Sequence, residues 1–158
     1  MPNLSVIILF GFFFYIIFVL KNQNSKKIEN KLNNIQNIGL KLIHVMNNVQ
    51  CVTFISGAKN NNFSFKKADL YFYENAFLIV GFFKIGEYKF YKSAFLLSQN
   101  EYLKDNLKSF EVIAPKNINL NSFNKDVYIE FGESNFTNTN VEIRLKNLNE
   151  EEKNLIKI

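Results

Sequence analysis

The sequence predicts a mainly β domain carried behind one N-terminal helix, and three observations predict it. Residues 4–20, LSVIILFGFFFYIIFVL, hold no charge, and lysines follow at 21, 26, 27 and 31. VYIEF (127–131) and VEIRLK (141–146) alternate apolar and polar residues, the pattern of strands with one wet face. AFLIVGFF (76–83) is apolar throughout, as a strand buried on both faces is. The expected fold class is a transmembrane helix (1–20), a basic polar stem (21–37), and an antiparallel β-barrel domain (38–158) with a short C-terminal capping helix.

A helix over residues 1–20 would be about 30 Å long at roughly 1.5 Å per residue, the thickness of a bilayer's hydrocarbon core. Helix satisfies its own backbone hydrogen bonds in lipid. Lys21, Lys26, Lys27 and Lys31 follow the run, opposed by Glu29 alone. The positive-inside rule then places these lysines at the headgroup layer and the following domain in the cytoplasm. A cleaved signal peptide would need a basic start and small residues at its end. MPNLS and FVLKNQNS supply neither. A lipoprotein signal would need a cysteine just after the run, and Cys51 is too late.

In residues 21–36 the apolar points Ile28, Leu32 and Ile35 fit an amphipathic helix, and a flexible stem is the alternative. Residues 38–46, IGLKLIHVM, fit a first strand or a short helix. CVTFISG (51–57) reads as a strand, followed by a turn at 58–62 and FSFKK. DLYFY (69–73) alternates, and Glu74-Asn75 makes a hairpin turn into 76–83, with Gly81 marking a bend or bulge. Ile85-Gly86 makes another turn. KFY and AFLLS read as two short strands around Lys92-Ser93. Residues 100–109 are polar and fit a loop with one helical turn. Phe110 to Ile113, and Ile118 to Leu120 after Pro115, read as short strands. Residues 132–140, GESNFTNTN, connect the last two strands. Asn149 and Glu152 have capping-box spacing. The glutamates at 150–152 suit a helix N-terminus. That helix is too short to stand alone and must pack on the sheet.

The net charge is +5, and beside a membrane this reads as topology and attraction to anionic headgroups. Arg144 is the single arginine, which leaves little for bidentate readout of nucleic acid. Cys51 is the single cysteine and His44 the single histidine. One cysteine excludes an internal disulfide and fits a reducing compartment, and the pair is too small a ligand set for a metal site. Asp69, Glu74, Asp105, Glu130 and Glu133 are scattered, without an acid–base pair. No catalytic, cofactor-binding or metal-binding residues are expected. Lys66, Lys67, Lys84, Lys89 and Lys92 interleave with Tyr71, Tyr73, Tyr88, Phe90 and Tyr91. Such a set either forms a surface for headgroups or a protein partner, or is a barrel filling with a solvated outside.

Several short strands followed by one end helix resemble the layout of a pleckstrin-homology-like (PH-like) barrel. KKADLYFYENAFLIVGFF, YKFYKS and VYIEFGESNFTNTNVEIRLKNLNEEEKNLI resemble a family of membrane-anchored proteins of Bacteroidetes-type bacteria. The resemblance implies that NLNEEEKNLI closes one end of the curved sheet. It also implies binding or scaffold roles: phosphoinositides, peptides or partner proteins. A phosphoinositide site would draw on Lys59 and Lys66-Lys67. The expected function is a non-catalytic interaction or scaffold protein, single-pass in the bacterial inner membrane, with its domain cytoplasmic. Its partners are the membrane and a protein at the membrane. The alternatives are a module for anionic lipid headgroups and a small enzyme.

Overall fold

A computed structural model describes residues 4–57, 63–107, 111–132 and 139–158; on the first helix it leaves out the side chains at 4, 5, 7, 21, 22, 24, 25, 29 and 36. One long strand organises the domain. β1 (Leu42–Gly57) pairs antiparallel with β2 (Lys67–Tyr73) through its first half, ending at Gln50↔Lys67. Through its second half it pairs antiparallel with β8 (Thr139–Leu145), starting at Cys51↔Leu145. The two separate segments read at 38–46 and 51–57 are thus one strand. Asn48, at φ 60°, lies in a register shift between Met46 and Val49. An asparagine tolerates that backbone, so the bulge absorbs the break in alternation and the strand continues.

β3 (Ala76–Ile85) and β4 (Tyr88–Leu97) extend the sheet on the β2 side, and β7 (Val127–Gly132) and β6 (Asn117–Asn119) on the β8 side. β4 is one strand, where two were expected. Its register slips between Gly81↔Ser93 and Phe82↔Tyr91, leaving Lys92 as the extra residue of a bulge. Gly81 therefore stands at the irregularity its type suggested. A Cβ on Gly81 would run into the Phe65 ring, so glycine there also admits an aromatic side chain.

The expected all-antiparallel barrel needs correction. β5 (Glu111–Ile113) pairs parallel with β4. A parallel neighbour requires a crossover, and α2 (Glu101–Asn106), capped by Asn100, lies on that connection. The eight strands run β5-β4-β3-β2-β1-β8-β7-β6, a curled sheet or half-barrel. Its two edge strands are consecutive in the chain, and residues 114–116 join them. Four residue steps span at most about 14 Å, so the sheet has to curl. Phe63, Phe95 of β4 and Phe131 of β7 meet across the concave face, with centroids 5.2–5.4 Å apart.

The C-terminal helix forms as read. In α3 (Glu150–Asn154) the Asn149 side chain accepts from the Glu152 N–H, and the Glu152 carboxylate accepts from the Asn149 N–H. Lys153 is buried and donates to Asn121 Oδ1 at 2.6 Å and Glu150 Oε1 at 2.8 Å. Leu155, Ile156 and Ile158 pack against the concave core.

The first helix, α1 (Leu4–Asn37), is continuous through the stem. Of the two readings of 21–36, the helix holds. Ile28, Leu32 and Ile35, spaced for one helical face, join Tyr73, Leu78, Val80, Ala94, Leu96, Leu103 and Leu107 in a second core on the outer face of the sheet. At the other end of α1, Ile8, Leu9, Phe10, Phe12, Phe13, Phe14, Tyr15, Phe18 and Leu20 are all exposed. Among the described residues, no helix is long and apolar enough to cross a membrane. The unbroken described apolar stretch, residues 8–20, measures about 20 Å at roughly 1.5 Å per residue.

Candidate functional site

The lysines singled out from the sequence separate into three groups. Lys66, Lys67 and Lys84 come together. Lys67 opens β2 opposite Phe82, and Lys84 stands on β3 just beyond it. With Phe83 and Gly86 these lysines line a cleft of about 300 Å³. A larger cleft of about 430 Å³ adjoins it and shares Lys66 and Lys67. It lies where β1 passes from β2 to β8, between Gln50, Cys51, Val52 and Thr53 on one side and Ser64 and Phe65 on the other. Lys146 completes its rim, held there by its N–H bond to the Gln50 carbonyl at 2.9 Å. Among the described residues no carboxylate lines either cleft. Lys84 alone of these four has an ion pair among the described residues, with Glu87 at 3.2 Å.

Lys89 belongs elsewhere. Its Nζ donates to Asp69 at 2.7 Å and 2.9 Å and sits 4.6 Å over the Phe82 ring. Asp69 is buried and also accepts from the Asn48 N–H at 2.9 Å. A buried carboxylate needs that partnership, so Lys89 holds the sheet together and is not available to a ligand. Lys92 is exposed on its bulge and is not among the residues that line either cleft.

The stem lysines also divide. Lys26 and Lys27 are exposed. Lys31 is half-buried on the part of α1 that packs on the sheet. Burial raises the pKa of Glu111 on β5, and the charge of Lys31 works against that rise. The side chain of Lys21 lies outside the described residues, as does Lys59.

β3 is longer than the strand it pairs with. β2 begins at Lys67 opposite Phe82, so residues 83–85 continue paired, among the described residues, with β4 alone. Phe83, Ile85 and Tyr88 are exposed on this two-stranded overhang, and the Phe83 and Phe90 rings stack at 5.4 Å. The cross-strand pairs Phe83↔Phe90 and Ile85↔Tyr88 place these four residues on one face, with Lys84 and Lys89 on the other. The sequence already held this signal. KADLYFY is shorter than AFLIVGFFKI, and the excess falls on FKI. Lys146 gave no such signal, because it joins the cleft through the pairing of the first strand with the last.

The other candidate chemistry stays apart. His44 is exposed, with its ring 5.8 Å from that of Phe72. Cys51 is buried, and desolvation pushes its thiol up to about 12. Seven residues of strand, about 20 Å, separate the two. Among the described residues no group of three or more His, Cys, Asp or Glu is placed to hold a metal ion. Compared with known protein families, curated proteins and solved structures, the chain finds no match.

Proposed function

We propose that this is a non-catalytic, membrane-anchored interaction or scaffold protein, single-pass in a bacterial inner membrane, with its sheet domain in the cytoplasm. The observation that carries the reading is the contrast within α1. Its first part presents Ile8, Leu9, Phe10, Phe12, Phe13 and Phe14 outward on every side. A helix apolar all round belongs in a core or in a membrane, and the α1 residues that join the core on the sheet, among those described, are Ile28, Leu32 and Ile35 near its other end. The uncharged run at 4–20 and the lysines behind it give the direction. Lys21, Lys26 and Lys27 then lie at the headgroups. Lys31 is about 16 Å beyond Leu20 along the helix and reaches the domain instead. The curled sheet with α3 fits a PH-like barrel and its end helix, a scaffold that serves many binding roles.

The test is the full chain expressed in bacterial cells. Retention in the membrane pellet through alkaline carbonate, with the domain protected from protease in intact spheroplasts, is the expected result. Release by carbonate overturns the anchor, and digestion in intact spheroplasts overturns the orientation. Crosslinking of the anchored chain in its native membrane then tests for a specific protein partner. A second reading, binding of anionic lipid headgroups, is favoured by the clefts rimmed by Lys66, Lys67, Lys84 and Lys146. It predicts salt-sensitive binding to anionic vesicles.

A further inference from the structure

The β3–β4 overhang carries an apolar face beyond the end of the concave core. Residues 79 and 77, two and four positions before Gly81 on the concave face, are buried to 0% exposure, whereas Ile85 is 61% and Tyr88 59% exposed. The inward face simply continues past the end of the core. A two-stranded ribbon is marginal by itself, and an exposed apolar tip on it adds an aggregation hazard. Its composition is that of a membrane–water boundary: aromatic and aliphatic side chains at the tip with Lys66, Lys67 and Lys84 behind them. Of the three lysines, Lys84 pairs with Glu87 at 3.2 Å.

The fold also shows which way the tip points. α1 ends at Asn37 and β1 starts at Leu42 opposite Tyr73, which pairs with Ala76. The C-terminus of α1 therefore lies at the Glu74-Asn75 end of the sheet. Traced back from there, the helix crosses the outer face of β4. Ile28 and Leu32 share their cluster with Tyr91, which stands near the overhang end of β4. With its C-terminus at the Glu74-Asn75 end and its packing on β4, α1 carries its apolar part away from that end of the sheet.

We infer that the β3–β4 hairpin tip is a second membrane contact. Phe83, Ile85, Tyr88 and Phe90 rest in the headgroup boundary of the bilayer that holds α1, and Lys66, Lys67 and Lys84 face its anionic lipid phosphates. The inference rests on the anchored reading of α1. It fixes the domain's tilt on the membrane, so that the opposite end of the sheet faces the cytoplasm.

The test uses the full chain in nanodiscs containing anionic phospholipid, with single nitroxide labels introduced by L9C, I85C or F123C. Cys51, buried with its thiol held protonated, stays in place, and the unsubstituted chain sets the labelling background. Power saturation compares the access of oxygen and of a water-soluble nickel chelate. The expected result is a hydrocarbon reading at position 9, an aqueous reading at 123, and an oxygen preference at 85 several-fold above that at 123. Charge reversal, K66E/K67E/K84E, or neutral lipid returns position 85 to the aqueous value and leaves position 9 unchanged. An aqueous reading at 85 with hydrocarbon at 9 overturns the hairpin contact and spares the anchor. An aqueous reading at 9 overturns the anchor itself. Insertion at 85 that survives both charge reversal and neutral lipid overturns the role given to the lysines.

Discussion

The two halves of the curled sheet share one concave core and differ on their outer faces. In β3 every residue from Ala76 to Phe82 is buried, because α1 and α2 cover the back of that half. In β7 burial alternates strictly, because no element among the described residues covers its back. The uncovered face makes its own arrangements. The Arg144 guanidinium lies 5.7 Å from the Phe54 ring and 5.9 Å from the Tyr128 ring, a cation–π distance. Glu130 faces Glu142 across the strands, and accepts from the Tyr128 hydroxyl and the Asn140 amide at 3.1 Å each. Hydrogen bonds there limit a like-charge repulsion that would otherwise cost stability. The comparison teaches that apolar periodicity counts covered faces. It does not say which element does the covering.

The sharpest way to break the comparison is to truncate one apolar side chain on each outer face. Leu78→Ala, beneath α1, should cost about 2–5 kcal/mol. Phe54→Ala, half exposed on the other half, should cost about 1 kcal/mol or less, the range of a surface position. Urea midpoints of the full chain in mild detergent measure both. Equal costs would mean that α1 does not seal the first half.

The concave side should respond to a single methyl group. Gly81→Ala drives a Cβ into the Phe65 ring and should cost about 1–3 kcal/mol as overpacking. Phe65→Leu in the same chain should recover part of that loss, a coupling a double-mutant cycle reads directly. Additive losses would show that the two positions do not touch.

Alkaline pH probes the covered half and the seam together. Burial raises the Cys51 thiol from 9.0 to about 12. Burial, with a smaller contribution from Tyr71, raises the Tyr73 hydroxyl from 10.0 to about 12. Both groups stay neutral in the fold and ionise more readily once unfolded. Their stabilisation is complete below about pH 9 and is lost as pH rises towards 12. The urea midpoint should therefore hold near pH 8 and fall steadily above pH 9. A flat midpoint to pH 11 would show that these groups meet water in the folded chain. The smallest effect belongs to the end helix. Asn149→Ala removes the cap of α3 and should cost about 1 kcal/mol, seen as a lower thermal midpoint.

Legibility followed the range of the interactions involved. Strands β3, β7 and β8 were readable because their patterns are local, and so was the capping box at Asn149. Merging residues 42–57 into one strand was not readable, since it depends on an Asn48 bulge held by Asp69 from another strand. The parallel seat of β5 depends on a crossover, which no period announces. For the candidate site, Lys66, Lys67 and Lys84 were named from their interleaving with aromatic residues along the chain. The loss of Lys89 to Asp69 depends on strand register, as does the gain of Lys146, and neither is a property of neighbouring residues.

The partner change along β1 has a consequence in time. The first half of β1 finds β2 within a few tens of residues. Its second half waits for β8, whose pairings run from Gly57↔Thr139 to Cys51↔Leu145. On a ribosome, residues 51–57 emerge long before the strand that will cover their far edge has been made. Contacts of such sequence separation slow folding and leave strand edges open meanwhile. The first hairpins can form early on the growing chain, and completion of the sheet is deferred until β8 has been made.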